Sequence, residues 1–263
     1  MPVLGLGTWQ NTDADQCAES VRTALETGYR HVDTAQAYGN EAAVGRGLAT
    51  ADVDREEVFL ATKVWIDSLA PEDVRRTTRE SLDRLGVDYV DLMYVHWPSR
   101  TYDPEATLPA FDDLVDDGRI RHVGVSNFEP GHVERAREVL DHSIFANQVE
   151  CHPFLQQRDL RAFAAETDLD LVAYSPLARG DVFGHPVLEA IAAKHGASEA
   201  QVSLAWLRTK GLTVIPKATG RDHILDNWRS LSLDLDAEDV ARIDAIDRTG
   251  RKVHPDFAPD AWA

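Results

Sequence analysis

Short apolar runs alternate with amphipathic stretches along nearly the whole of this chain. The apolar runs cover residues 3–8, 29–34, 58–64, 89–97, 120–126, 146–151, 169–175 and 213–216. They are rich in Val, Ile, Leu and Tyr, the pattern of strands buried on both faces. The stretches between and after them, at 13–27, 40–50, 71–85, 105–117, 130–141, 156–166, 186–209 and 221–246, predict helices. Pro71-Glu72-Asp73 places a proline and two acids where a helix N-terminus favours them. Gly28 and Gly86 stand just past the last turns of their helices. Eight strand–helix units in sequence predict a parallel (β/α)8 (TIM) barrel. At 263 residues the chain has the length of one such barrel, so a single domain over 1–263 is expected. The competing architecture, an open doubly wound sheet, carries a glycine-rich turn after its first strand. Here Gly5-Leu6-Gly7 is followed by Thr8-Trp9-Gln10, and the third glycine is missing. No linker, low-complexity segment or internal repeat divides the chain.

Composition narrows the functional classes. Hydrophobic residues make up 43% of the chain, enough for a sizeable core. No run of 18 or more apolar residues exists, so no membrane span is expected. The start, Met1-Pro2-Val3-Leu4-Gly5, lacks a basic segment followed by an apolar one, which leads to the expectation of a cytoplasmic product. Cys17 and Cys151 are too few and too far apart to suggest a disulfide framework. The net charge is −18, with five Lys against 22 Arg. Such an acidic surface disfavours nucleic acid and anionic membranes as partners. It also repels itself in dilute salt, an effect that molar salt removes, which points to a salt-rich source. A monomer acting on a small molecule is expected.

In a β/α barrel the chemistry lies at the C-terminal ends of the strands. The second strand ends at Asp33-Thr34 with Tyr38 just beyond, the third carries Lys63, and the fourth ends at His96. Each has an ordinary reading alone: a snorkelling lysine, a hydrogen-bonded core histidine, a turn aspartate, a tyrosine packed over a loop. Together they converge on one mouth. An Asp–Lys pair under a tyrosine favours the phenolate and should lower the phenol from its usual value of about 10. Tyr38 could then donate a proton while His96 orients a carbonyl oxygen. His152 beside Cys151 lacks further ligands, so no metal is expected.

These segments resemble the aldo-keto reductase family. The resemblance is carried by Leu4-Gly5-Leu6-Gly7-Thr8-Trp9, by Gly28 through Ala35 with Tyr38-Gly39-Asn40-Glu41, by Thr62-Lys63-Val64-Trp65, and by Leu92 through Pro98. It continues through Gly124-Val125-Ser126-Asn127-Phe128, Asn147 through Pro153, Ala173-Tyr174-Ser175-Pro176-Leu177 and Ile215-Pro216-Lys217. It implies an oxidoreductase that reduces aldehydes or ketones with NAD(P)H. Asp33, Tyr38, Lys63 and His96 would be the catalytic tetrad, with Tyr38 the general acid. Ser126, Asn127 and Gln148 would hold the nicotinamide carboxamide, and Tyr174 would stack on the ring. Ser175, Pro176 and Leu177 would line the pyrophosphate, Lys217 would meet the adenosine phosphate, and Asn227 would lie near the adenine. Trp9, Trp65 and Trp97 would form an apolar substrate wall.

The chain also departs from that pattern. Little or no N-terminal hairpin precedes the first strand, so the barrel bottom would be closed by side chains. The C-terminal tail is short, which suggests an open and permissive pocket. Ala218 stands where the family usually has Ser, and His223 where it usually has Arg. NADPH is therefore expected as cofactor with NADH also accepted. Two other classes compete with the reductase: a binding or regulatory protein on the same scaffold, and another barrel enzyme with a phosphate site. The intact tetrad disfavours the first, and Gln148 with Tyr174 the second.

Overall fold

The computed structural model describes residues 1–259. The eight apolar runs form β1 (Leu6–Gly7), β2 (His31–Asp33), β3 (Phe59–Val64), β4 (Val90–Val95), β5 (Ile120–Ser126), β6 (Ile144–Glu150), β7 (Asp170–Tyr174) and β8 (Thr213–Val214). All neighbours pair in parallel and in chain order. The sheet closes on itself, because Gly5 N donates to Val214 O at 2.8 Å and Gly7 N to Pro216 O at 3.0 Å. The result is the expected (β/α)8 barrel. Residues 260–263 of the domain expected over 1–263, and of its tail, lie outside the described residues.

The helices are α1 (Ala14–Thr27), α2 (Glu41–Thr50), α3 (Pro71–Leu85), α4 (Pro104–Asp116), α5 (Pro130–Val139), α6 (Arg158–Glu166), α7 (Pro186–His195), α8 (Glu199–Thr209), α9 (Arg221–Arg229) and α10 (Ala237–Asp244). Two long helical stretches of the sequence are each divided. Residues 186–209 break because Gly196 adopts a left-handed conformation, φ 62°, that ends α7, and the Ser198 side chain then caps α8 through Gln201 N. Residues 221–246 break after α9, and the chain restarts as a helix where the Asp236 carboxylate accepts from Asp239 N.

Strand alternation sorts the core into two layers. Leu60, Met93, Val95, Val123 and Val125 face the helices within the main apolar core. Ala61, Leu92, Tyr94, Ala146, Val172 and Ile215 fill the barrel interior, with Met1, Phe59 and Phe145 packed against them. Side chains thus plug the barrel. The wide mouth at the strand C-termini is left for chemistry. Past α10 the tail folds back over that mouth. Its anchor is buried: the Glu150 carboxylate at the end of β6 accepts from Lys252 N at 2.6 Å and Val253 N at 2.8 Å.

Candidate active site

A cavity of about 710 Å³ opens at the strand C-termini, between the loops after β1, β2, β4 and β7 and the tail. Asp33 projects from the end of β2 and Lys63 from the penultimate position of β3. Both are wholly buried, and Lys63 Nζ lies 2.5 Å from Asp33 Oδ1. The same ammonium donates to Thr34 O at 2.8 Å and stands 3.4 Å from the Tyr38 hydroxyl. Tyr38 ends a single 3-10 turn, Gln36–Tyr38, so its half-buried ring faces the cavity. His96 follows β4 and meets the Tyr38 ring edge-on at 5.9 Å. The four residues singled out in the sequence are therefore brought together. Asp33, Tyr38 and His96 line the cavity, and Lys63 lies behind them.

The electrostatics correct one expectation. The phenol of Tyr38 is held well above its ordinary value, not below it. Enclosure by protein is the main cause, followed by the charges of Asp33 and Tyr174. The Lys63 ammonium is largely cancelled by Asp33 at 2.5 Å, so the phenol meets a nearly neutral pair in a poorly solvated place. Tyr38 thus carries its proton throughout the physiological range. His96 is held well below its ordinary value by burial and then by Lys63, so it is neutral at pH 7. Burial also pulls Lys63 down, opposed by Asp33 and Glu41.

A polar network joins the tetrad to the neighbouring strands. Gln148 Nε2 donates to Asp33 Oδ2 at 2.8 Å, and Ser126 Oγ donates to the Gln148 carbonyl at 2.8 Å. Asn127, at φ 62°, donates from Nδ2 to the His96 carbonyl at 3.0 Å and accepts from the Tyr174 hydroxyl at 2.9 Å. Ser126, Asn127, Gln148, Tyr174, Ser175, Pro176, Leu177 and Lys217 all line the cavity. Ala218, His223 and Asn227 do not: Ala218 and Asn227 are buried, and His223 is exposed on the first turn of α9. The donor set suits a dinucleotide. Neutral amides, an aromatic face and the cations Lys217 and Arg179 all line the cavity.

Of the three tryptophans, Trp65 and Trp97 come together, each meeting the Phe257 ring edge-on at 5.5 and 5.6 Å. Trp9 lines the same cavity, but its ring carries the Arg179 guanidinium at 4.5 Å. The tail contributes to the wall of the cavity. Ser99 Oγ donates to Phe257 O at 2.7 Å, and this bond with the Glu150 anchor seats Val253, Pro255 and Phe257 on the cavity.

Sequence reading missed Arg179, Glu150 and Asn40. Asn40 links Thr34 Oγ1 at 2.9 Å to Thr8 O at 2.8 Å and so ties the first two loops. Glu150 did leave a signal, an acid inside the apolar run Val149-Glu150-Cys151, since carboxylates are rarely fully buried without partners. Among the described residues, no group of three or more His, Cys, Asp or Glu could hold a metal ion.

Comparison with known proteins agrees with this geometry. The model of the aldo/keto reductase family matches residues 3–248. The chain is 40% identical over 265 residues to methylglyoxal reductase DkgB of Escherichia coli O157:H7, covering 100% of this chain and 99% of that protein. It is 38% identical over 251 residues to glyoxal reductase of Bacillus subtilis, covering 95% and 91% of the two chains. A crystal structure of an aldo/keto reductase from Brucella melitensis superposes with a TM-score of 0.89 at 37% identity, covering 94% of this chain and 95% of that one.

Proposed function

This chain belongs to the aldo/keto reductase family and is a nicotinamide-dependent carbonyl reductase, and from that premise we propose that Tyr38 is its general acid and that small aldehydes, dicarbonyls among them, are its substrates. The observation that carries the assignment is the buried Lys63–Asp33 pair at 2.5 Å with the protonated Tyr38 hydroxyl 3.4 Å from Lys63 Nζ at the cavity wall. Tyr38 gives its proton to the carbonyl oxygen as the alkoxide forms. Lys63, already charged, steadies the phenolate that Tyr38 becomes, and Asp33 keeps that ammonium aimed. Neutral His96 offers a ring N–H to the same oxygen and fixes its direction. A reduced nicotinamide supplies the hydride when bound. Ser126, Asn127 and Gln148 would hold its carboxamide and Tyr174 its ring face, while Ser175, Pro176 and Leu177 line the pyrophosphate. Lys217 would meet the adenosine phosphate, with Ala218, His223 and Asn227 near the adenosine end. Small dicarbonyls are favoured by the names of the methylglyoxal and glyoxal reductases above and by the apolar wall of Trp65, Trp97 and Phe257. Trp9 is read as serving the same cavity.

NADPH is the proposed cofactor, with NADH also accepted. The acidic surface supports a protein that avoids nucleic acid and anionic membranes. Two buried free cysteines support a cytoplasmic setting. Val3 and Phe183 are the only exposed large apolar side chains among the described residues, which supports a monomer. No described helix is long and apolar enough to cross a membrane.

The test is oxidation of reduced nicotinamide with methylglyoxal and a panel of simple aldehydes, in wild type and Tyr38→Phe. General acid catalysis contributes about 10²–10⁴-fold, so the variant should lose nearly all turnover and keep its cofactor affinity. Retention of more than about a tenth of the wild-type rate would remove Tyr38 from the role.

A further inference from the structure

Tyr94 lies two residues before His96 on β4, so its side chain faces the same barrel interior one layer below the cavity. It is wholly buried. None of the roles assigned above falls on it. Its ring nevertheless presents itself to the centre of the tetrad: Lys63 Nζ lies 5.8 Å from the Tyr94 ring centroid and 5.1 Å from that of Tyr38. The ammonium therefore sits between two aromatic rings, with Asp33 Oδ1 at 2.5 Å and Thr34 O at 2.8 Å completing its surroundings.

Room for the Tyr94 ring is made by Gly124 on β5. A Cβ there would stand 2.5 Å from Tyr94 Cδ1, closer than packed atoms tolerate. The hydroxyl faces the Gln148 side chain, whose pull on the phenol is outweighed by burial and by Asp33. The ring itself suits a cation, since a desolvated ammonium over an aromatic face recovers part of its lost hydration.

We propose that Tyr94 is a positioning residue for the reductase reading above, holding the Lys63 ammonium through its ring face so that Lys63 stays charged beneath Tyr38. The groups that face Lys63 are Asp33 and, one layer deeper, His31 on β2; Tyr38 after β2; Glu41 on α2 at longer range; and Tyr94 and His96 on and after β4. Asp33 and Glu41 favour the charged lysine. The histidines are neutral and Tyr38 is protonated at pH 7, so the Tyr94 ring is the neutral partner whose removal changes the balance in one direction. Without it Lys63 loses its proton at lower pH, and Tyr38 loses the charge that steadies its phenolate.

The chain has five lysines, which keeps lysine side-chain NMR simple. Lys63 is assigned by its absence in Lys63→Arg and titrated in the protein without cofactor, in wild type, Tyr94→Phe and Tyr94→Leu. Tyr94→Met, which fills a similar volume without a ring, serves if the leucine variant does not fold. Lys63 should titrate roughly half to one unit lower in the Leu and Met variants and unchanged in Phe. The basic limb of kcat/KM for methylglyoxal reduction should move down with it. A Lys63 titration in Leu and Met equal to wild type overturns the proposal, and so does a shift in Phe as large as in Leu. Absence of carbonyl reduction in wild type would instead sink the reductase reading and leave the lysine titration to decide this one.

Discussion

The charge state of single buried side chains sets what this protein can do at each pH. His31, at the floor of the barrel beside the Pro2 backbone, meets Phe59 edge-on at 5.3 Å. Burial pushes it down from 6.5 to about 4, against the pull of Asp33. An unfolded chain accepts that proton near 6.5, whereas the folded one refuses it until about pH 4. His31 therefore costs nothing above about pH 6.5, and stability falls as pH drops from there through about 4, by about 3 kcal/mol at most. Denaturant titrations across that window should show a shallower loss in His31→Gln, and an unchanged loss would assign the acid limb elsewhere. His223 governs a second residue-scale outcome. A strong preference for the 2′-phosphate needs a cation close to it, ideally an arginine fork. Lys217 supplies one point charge, and His223, exposed on α9, presents an imidazole where an arginine fork would make two bonds. Loss of one charge-assisted bond is worth about 1.5–3 kcal/mol, or one to two decades of preference. The ratio of kcat/KM for NADPH over NADH should lie below about a hundred and rise in His223→Arg. A ratio above about a thousand that the variant leaves alone would mean that Lys217 and the neighbouring Arg221 suffice.

At the scale of elements, the tail and the strand ends act as one device. Glu150 closes β6 with a carboxylate that accepts from Lys252 N, Val253 N and His152 Nε2, the last at 2.9 Å. His152 can donate from Nε2 because its Nδ1 accepts from Phe154 N. The tail held in this way carries Phe257 to Trp65 and Trp97. Glu150→Gln puts an amide N–H against a cluster of donors, and a buried polar group left unsatisfied costs about 1–3 kcal/mol. The tail should then open before the barrel does. Trypsin should cut faster after Arg251 and Lys252, and KM for an aldehyde with a large apolar tail should rise while that for methylglyoxal changes little. Cleavage and KM both equal to wild type would show that Ser99 and the apolar contacts hold the tail without the carboxylate.

For the whole molecule the dominant quantity is the net charge of −18 on 29.2 kDa. Most of the ion pairs on the surface are exposed, such as Arg76 with Asp73 and Glu80, and exposed pairs contribute little. Screening them costs less than screening the general repulsion returns. The Debye length falls from about 10 Å at 0.1 M salt to about 3 Å at 1 M. Thermal melts in about 0.1 M and about 2 M KCl should therefore show a higher Tm at the higher salt. A Tm that stays flat or falls would reject a salt-adapted surface and leave the enzyme assignment untouched.

Strand and helix order, and with it the barrel, was legible in the sequence because alternating burial leaves a local pattern that each segment carries by itself. The tetrad was legible because a barrel collects its strand ends at one mouth, so the positions of Asp33, Lys63 and His96 on their strands already implied a meeting place. Tyr38 joined them as the residue just past β2. The breaks at Gly196 and Asp236 were written as cap residues but lost inside long amphipathic stretches. What the sequence could not convey are quantities that depend on distance between remote segments. The direction of the Tyr38 phenol follows from Asp33 cancelling Lys63 at 2.5 Å and from the enclosure around both. The capture of the tail by Glu150 joins residues 102 and 103 positions apart. The seat of Lys63 between Tyr38 and Tyr94 exists only once β2, β3 and β4 lie side by side. Each is a through-space interaction whose strength is set by separation and local solvation, and neither is defined until the chain has folded.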